Sequence, residues 1–270
     1  MPELPEVETS RRGIEPWILN ARIADVVVRD RRLRWPVARG IENKLRGRRI
    51  ESVGRRAKYL LIGTDDGTAI VHLGMTGSVF IVDHDAPAGI HDHFDILLDS
   101  GRSLRFRDPR RFGSFFFSKK PLAHPLLAEL GPEPLGDDFD GEYLWRRSRG
   151  RKVSVKQFIM NAKVVVGVGN IYASESLFLA GINPKRAAGR IARHRYDALA
   201  DAIRDVLGRA IQAGGTTLRD FYGGDGEPGY FRQQLEVYDR DGEHCRCCNT
   251  VIRSIVQGQR TTYYCKSCQT

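Results

Sequence analysis

Two sets of residues in this chain have the types and spacing to do chemistry. The first is the amino-terminal run Met1-Pro2-Glu3-Leu4-Pro5-Glu6. A small second residue permits removal of the initiator methionine, and the new terminus is then the secondary amine of Pro2, beside the carboxyls of Glu3 and Glu6. An α-amino group titrates at about 7.7–8.0, so a usable fraction is neutral and nucleophilic near neutral pH. A secondary amine that attacks the anomeric carbon of a sugar forms an iminium ion, which is an electron sink. Glu3 is near enough in sequence to trade protons with the sugar ring. The second set is Cys245-x2-Cys248-x16-Cys265-x2-Cys268. Two such pairs predict a tetrahedral four-cysteine zinc site, and with no open position and no histidine in the spacing the ion is structural. Cys247 breaks neither pair and reads as a bystander.

A frayed chain end could not do the amine chemistry, so an element must hold Pro2 in place. Pro5 suits the first position of a helix, Glu6 and Glu8 suit its positive end, and Leu4, Val7 and Ile14 recur at helical spacing. Residues 20–118 then read as strands. Lys58-Tyr59-Leu60-Leu61-Ile62 and Ala69–Leu73 flank the hairpin signal Asp65-Asp66-Gly67, and Phe94–Leu98 and Ser103–Arg107 flank Asp99-Ser100-Gly101. Short strands with regular turn signals predict an antiparallel β-sandwich. Lys58, read here inside an apolar strand, either caps an edge or makes a phosphate or catalytic contact. Asp108-Pro109-Arg110-Arg111-Phe112-Gly113 places two guanidiniums beside an aromatic, a pattern that can grip phosphates while a wedge enters a base stack; the same pattern also occurs as ordinary surface.

Composition marks the boundaries. Residues 121–145 hold four prolines, six acidic residues and no Lys or Arg, whereas 146–163 hold seven basic residues and no acid. Beyond this switch the chain reads as helical. Val155, Phe158 and Ile159 form a stripe, Gly167-Val168-Gly169-Asn170 interrupts it with Asn170 as an expected N-cap, and Ile171–Leu179 resumes it. A long amphipathic helix through Tyr196, Leu199, Ile203, Val206, Leu207, Ala210 and Ile211 stops at Gly214-Gly215. The glycine-rich stretch Gly223-Gly224-Asp225-Gly226-Glu227-Pro228-Gly229 is either a lid or a linker. The net charge of +10 over 270 residues suits a polyanionic partner, with nucleic acid favoured. No apolar run approaches membrane-spanning length, and the amino terminus lacks the regions of a signal peptide, so no membrane association and an intracellular location are expected.

Taken in order, MPELPEVET, RRAKYLL, HLGMTGS, DPRRFG, GVGNIYASE, GGTTLRDF, DGEPGYF and the cysteine finger resemble the formamidopyrimidine-DNA glycosylase family nearly end to end. The resemblance implies an α+β multi-domain fold: an N-terminal β-sandwich with an N-terminal helix, a helical domain with a helix–two-turn–helix, and a C-terminal β-hairpin zinc finger. The corresponding expected segments are residues 2–120, a connector over 121–150, 151–235 and 236–270. It implies damaged double-stranded DNA as partner, bound in a cleft between domains, one structural zinc ion, a monomer, and a cytoplasmic bacterial enzyme active at the nucleoid. By resemblance Pro2 is the Schiff-base nucleophile, Glu3 the proton donor to the sugar, and Glu6 a support. Lys58 serves β-elimination and contacts phosphate, and Arg260, at the tip of the finger hairpin, contacts phosphate and assists δ-elimination. Met75, Arg110 and Phe112 match residues that fill the gap left by an extruded base, and His91, Arg151, Lys156 and Asn170 match DNA-contacting positions. One departure is Asn161, where the family usually has Asp, which puts in doubt a charge partner for a basic residue of the second domain. Two alternatives are a sister enzyme of the endonuclease VIII type, acting on oxidised pyrimidines, and a non-catalytic zinc-finger DNA-binding protein. Leu4-Pro5 and the glycine-rich loop speak against the first, and the intact Pro2, Glu3 and Lys58 set against the second.

Overall fold

In the computed structural model, which describes residues 2–216 and 234–270, the chain divides into two compact units, residues 1–128 with 213–230, and residues 129–212 with 231–270. Both Met1 and the Gly223–Gly229 stretch lie outside the described residues. The four expected segments divide the chain differently from this partition.

The first unit opens with helix α1 (Leu4–Ile18), which buries Leu4, Val7, Ile14 and Ile18. Pro5 sits one residue inside the helix rather than at its first position, where its missing N–H still costs no hydrogen bond. The strands are β1 (Ile23–Val28), β2 (Ile50–Arg56), β3 (Tyr59–Thr64), β4 (Gly67–His72), β5 (Ser78–Asp83), β6 (Asp92–Leu98), β7 (Arg102–Arg107) and β8 (Ser114–Ser118), with a short helix α2 (Ile41–Leu45) after β1. They form two antiparallel four-stranded sheets, ordered β1-β6-β7-β5 and β2-β3-β4-β8. Alternation along β3 buries Leu60, Ile62 and Thr64 on one face. Between the sheets Phe94 stacks on Phe106 and Phe115, with ring centroids 4.8 and 4.1 Å apart. Such offset aromatic contacts add about 0.5–1.5 kcal/mol each beyond the area they bury. The result is the sandwich expected from the turn signals, with α1 packed on β2 and β5.

The second unit contains α3 (Gly141–Ser148), α4 (Val155–Ile159), α5 (Asn170–Leu179), α6 (Arg193–Gln212) and the hairpin β9 (Arg253–Gln257) and β10 (Arg260–Tyr264). Asp140 caps α3 by accepting from the Tyr143 N–H at 2.6 Å. Helix α5 is buried on all sides from Ile171 to Phe178, including the polar Ser174, Glu175 and Ser176. It packs against α6, whose buried stripe contains Tyr196, Leu199, Ile203, Val206, Leu207 and Ala210. The Tyr196 hydroxyl donates to the Ala188 carbonyl at 3.0 Å, so its buried polar end is satisfied. No helix among the described residues is long and apolar enough to cross a membrane.

Candidate active site and nucleic-acid contacts

Pro2, Glu3 and Glu6 are all buried. Glu3 takes the N-cap position of α1, and Glu3 and Glu6 bond reciprocally, each carboxylate accepting the other's backbone N–H; the Glu3 N–H reaches Glu6 Oε2 at 2.7 Å. The second oxygen of Glu6 accepts the Thr216 N–H at 2.8 Å. Gly215, with φ of +84°, lies so close that a Cβ there would sit 3.2 Å from the Glu6 carboxyl oxygen. The carboxylate of Glu6 is thus a clamp between two backbone segments more than 200 residues apart in sequence. The chain end that would ordinarily fray is held on a buried helix start.

Lys58 is placed differently from the sequence expectation. It is not inside a strand but is the second residue of the two-residue turn joining β2 to β3. The turn is made by Ala57, buried and left-handed at φ +55°, a position that no glycine or asparagine marks in the sequence. Lys58 is half-buried, and its charge bears on His72, the partner of Tyr59 across the β3–β4 ladder. Burial, then Lys58 and Arg34, hold the His72 imidazole down at about 4, against a weaker opposite pull from Asp108. His72 is therefore neutral at pH 7, with Nδ1 accepting the Gly74 N–H at 3.0 Å and Nε2–H left as a donor. The sequence places His72 in a strand and at the start of HLGMTGS but gives no sign of its neutral ring or its charged neighbours.

Met75, His91, Arg110 and Phe112 come from three loops that converge on one buried aspartate. Asp108 is completely buried. Its Oδ1 accepts the Thr76 hydroxyl at 2.6 Å and the Arg110 N–H at 3.3 Å, and Oδ2 accepts the Gly113 N–H at 2.7 Å. Its backbone N–H donates to the His91 carbonyl at 3.0 Å. Gly74, at φ +70°, brings the Met75 turn directly against the Phe112 backbone, where a Cβ would lie 2.4 Å from the Phe112 carbonyl carbon. Met75 and Phe112 remain 40% and 37% exposed, large apolar side chains held out to solvent on a rigid base. The Arg110 guanidinium lies over the Phe112 ring at 4.7 Å. Asp108 organises this cluster and was missed, because a turn aspartate carries no signal of its distant partners.

In the second unit, Lys156 is buried and donates through Nζ to Asn170 Oδ1 at 2.6 Å, Thr262 Oγ1 at 2.8 Å and the Thr261 carbonyl at 3.3 Å. Asn170 completes the ring by donating from Nδ2 to the same Thr261 carbonyl at 2.9 Å. Asn170 is therefore the first residue of α5 rather than its N-cap. Gly169 takes that position, because the Asn170 side chain is spent on Lys156 and β10. These bonds fasten β10 immediately after Arg260, which is exposed at the start of the strand. The hairpin turn Gly258-Gln259 has both φ values positive, +55° and +62°, as a two-residue turn of this hand requires. Arg151 is exposed beside the turn that precedes α4. Asn161 accepts the Lys163 N–H at 3.0 Å, a local turn bond.

The sulfurs of Cys245, Cys248, Cys265 and Cys268 lie within 4.8 Å of one another, with Cys245–Cys268 at 3.8 Å and Cys248–Cys265 at 3.4 Å. Zinc–sulfur bonds of about 2.3 Å in a tetrahedron put sulfurs about 3.8 Å apart, so the donor set fits a tetrahedral thiophilic ion. Cys247 is exposed and outside the cluster. The finger is tied to α5 by Glu175, another residue that sequence reasoning missed. Its buried carboxylate accepts the N–H groups of Glu236, Val237 and Tyr238 at 2.8, 3.0 and 2.8 Å. Burial pushes its pKa up, opposed by those three donors.

Comparison with known proteins finds two family matches. Residues 1–115 match the formamidopyrimidine-DNA glycosylase N-terminal domain, and residues 130–222 match the formamidopyrimidine-DNA glycosylase H2TH domain. Proteins named formamidopyrimidine-DNA glycosylase are 61% identical over 269 residues in Stutzerimonas stutzeri and 59% identical over 270 residues in Thioalkalivibrio sulfidiphilus, each alignment covering 100% of both chains. The solved MutM (Fpg) protein from Thermus thermophilus is 36% identical, with a TM-score of 0.89 over 99% of this chain and 98% of that one. The complex between Lactococcus lactis Fpg and DNA containing an abasic site is 32% identical, with a TM-score of 0.91 over 99% of each chain.

Proposed function

Because this chain belongs to the formamidopyrimidine-DNA glycosylase family, a family of base-excision repair enzymes, we propose that it removes oxidised purines (8-oxoguanine and formamidopyrimidines) from double-stranded DNA through a Schiff base at Pro2 and then cleaves the strand. The observation that carries this reading is the buried, reciprocally bonded Glu3–Glu6 start of α1, which fixes Pro2 instead of letting it fray. With Met1 removed, the Pro2 nitrogen attacks C1′, and the N–C1′ bond forms as the glycosidic bond breaks. The departing base takes up the amine proton. Glu3 protonates the ring oxygen as the sugar opens, giving the iminium ion. That ion acidifies the C2′ proton, whose loss expels the 3′ phosphate; a second elimination expels the 5′ phosphate. Glu6 orients Glu3 by holding its backbone.

Lys58 is assigned to phosphate binding and β-elimination, and Arg260 to phosphate binding and δ-elimination. A base in a duplex is reached only after it leaves the stack, at a cost of a few kcal/mol that inserted side chains offset. Met75, Arg110 and Phe112, exposed on their shared base, are assigned to that insertion. His91, Arg151 and Asn170 are assigned to the DNA backbone, and Lys156 to the same region, acting through the Asn170 and Thr261 contacts that its ammonium makes. A zinc ion at Cys245, Cys248, Cys265 and Cys268 supplies only structural cross-linking of the finger. The protein is proposed to act as a monomer, in the cytoplasm at the nucleoid.

Cleavage of matched duplexes containing 8-oxoguanine or thymine glycol tests the specificity. Preferential cleavage of the 8-oxoguanine strand is expected; preference for thymine glycol would move the chain to the oxidised-pyrimidine reading.

A further inference from the structure

The loop after β1 carries Arg29, Arg31, Arg32 and Arg34, and the first three are engaged by carboxylates: Arg29 by Asp95 at 2.6 Å, Arg31 by Glu42, and Arg32 by Asp30 at 2.9 Å. Arg34 is exposed, and no carboxylate among the described residues pairs with it. Two contacts nevertheless fix where it lies. Arg111 pairs with Asp30 at 3.0 Å, and the Arg34 N–H donates to the Gly113 carbonyl at 3.1 Å, so this loop is fastened to the loop that presents Phe112. Gly113 in turn lies on the end of β4, where a Cβ would be 2.8 Å from the His72 carbonyl oxygen. The His72 ring packs on Tyr59 at 4.7 Å, and Tyr59 follows Lys58 directly. Arg34 and Lys58 both act electrostatically on the His72 ring, and Arg34 acts on Tyr59 as well. Two cations are thus gathered around one neutral imidazole, beside an exposed wedge.

A phosphate bound beside both groups is attracted to each positive charge. A guanidinium can take two phosphate oxygens at once, which a lysine ammonium cannot.

We propose that Arg34 is a further phosphate-binding residue, contacting the DNA backbone next to the phosphate assigned to Lys58. The proposal rests on the functional reading above, since it deepens the DNA-binding surface of the same site.

Binding of Arg34→Gln and Arg34→Lys to a duplex with a non-cleavable tetrahydrofuran abasic site, followed by fluorescence anisotropy from 50 to 200 mM salt, tests it. Each phosphate contact contributes about 0.9 to the slope of log K against log salt. Arg34→Gln should therefore be shallower by about 0.9, so that its loss of affinity over that range is about threefold smaller than that of the unmodified chain. Arg34→Lys, which keeps the charge, should retain the full slope. An unchanged slope for Arg34→Gln overturns the proposal, even if affinity falls, because that result makes Arg34 only a support for the loop. Loss of folded near-ultraviolet dichroism in Arg34→Gln shifts the decision to Arg34→Met, whose slope should likewise be shallower by about 0.9. The functional reading fails separately: absence of excision by the unmodified chain would sink it while leaving the salt slopes interpretable.

Discussion

Replacing Asp108 by Asn keeps the shape of the side chain and changes only what it can accept. The carboxylate now receives the Thr76 hydroxyl, the Arg110 N–H and the Gly113 N–H, all at a completely buried position. In either orientation an asparagine must aim its NH2 at one of these donors. The better choice points the NH2 at Thr76, whose hydroxyl can turn to accept, and sacrifices the Arg110 N–H bond. Hydrogen bonds to a charged acceptor are worth about 1.5–3 kcal/mol each, and the Arg110 N–H keeps a second acceptor in Thr76 Oγ1 at 3.3 Å. A loss of about 1.5–3 kcal/mol in urea unfolding of Asp108→Asn is therefore expected. The same loosening releases the base on which Met75, Arg110 and Phe112 stand. If about 2 kcal/mol of that preorganisation is lost, base extrusion slows about thirtyfold. Stopped-flow fluorescence of 2-aminopurine beside the lesion reads extrusion directly, and lyase activity on a single-stranded abasic oligonucleotide, which needs no extrusion, should change by no more than about twofold. Equal losses on both substrates, or unaltered stability, would refute the assignment of Asp108 as organiser of the wedge.

Replacing Cys245 or Cys268 by Ser should release a bound zinc ion and weaken DNA binding while the sandwich stays folded, whereas Cys247→Ser should retain the metal; inductively coupled plasma mass spectrometry on the purified variants checks this. Lys156→Met strands the Asn170 and Thr262 oxygens, so hydrogen exchange across Arg260–Tyr264 should accelerate at least about tenfold, and an unaltered exchange rate would remove Lys156 as the anchor of the hairpin. His72 is held at about 4 in the folded chain, first by burial and then by Lys58 and Arg34, against about 6.5 when unfolded. Between those values the unfolded chain binds a proton that the folded chain refuses, so the stability contribution is complete above about pH 6.5 and falls, by at most about 3 kcal/mol, as the pH drops to about 4. His72→Gln should flatten that part of the stability profile relative to the unmodified chain.

The features legible in the sequence are those whose signal is local. Leu4, Val7 and Ile14 announce α1, Asp65-Asp66 marks the β3–β4 turn, and the cysteine spacing marks the finger. Lys58 was misplaced because the chain reverses at Ala57-Lys58 without glycine or asparagine, through a buried alanine in the left-handed region that glycine ordinarily marks. Asn170 has the right chemistry for an N-cap, but Lys156 and Thr261 compete for its side chain from 14 and 91 residues away. The roles of Asp108, His72 and Glu175 escaped for the same reason. Each acts through backbone groups or charges that only the folded sheet or helix packing brings near.

The central claim is that the nucleophile is the secondary amine of Pro2. With Met1 retained, that nitrogen is a tertiary amide with a delocalised lone pair and cannot form a Schiff base. Borohydride trapping on an 8-oxoguanine duplex, followed by peptide mass mapping, compares the processed chain with one carrying an uncleavable amino-terminal extension. The processed chain should trap covalently at Pro2, and the extended chain should bind DNA without trapping. Full trapping by the extended chain, or a cross-link mapped to a lysine such as Lys58, would contradict the account.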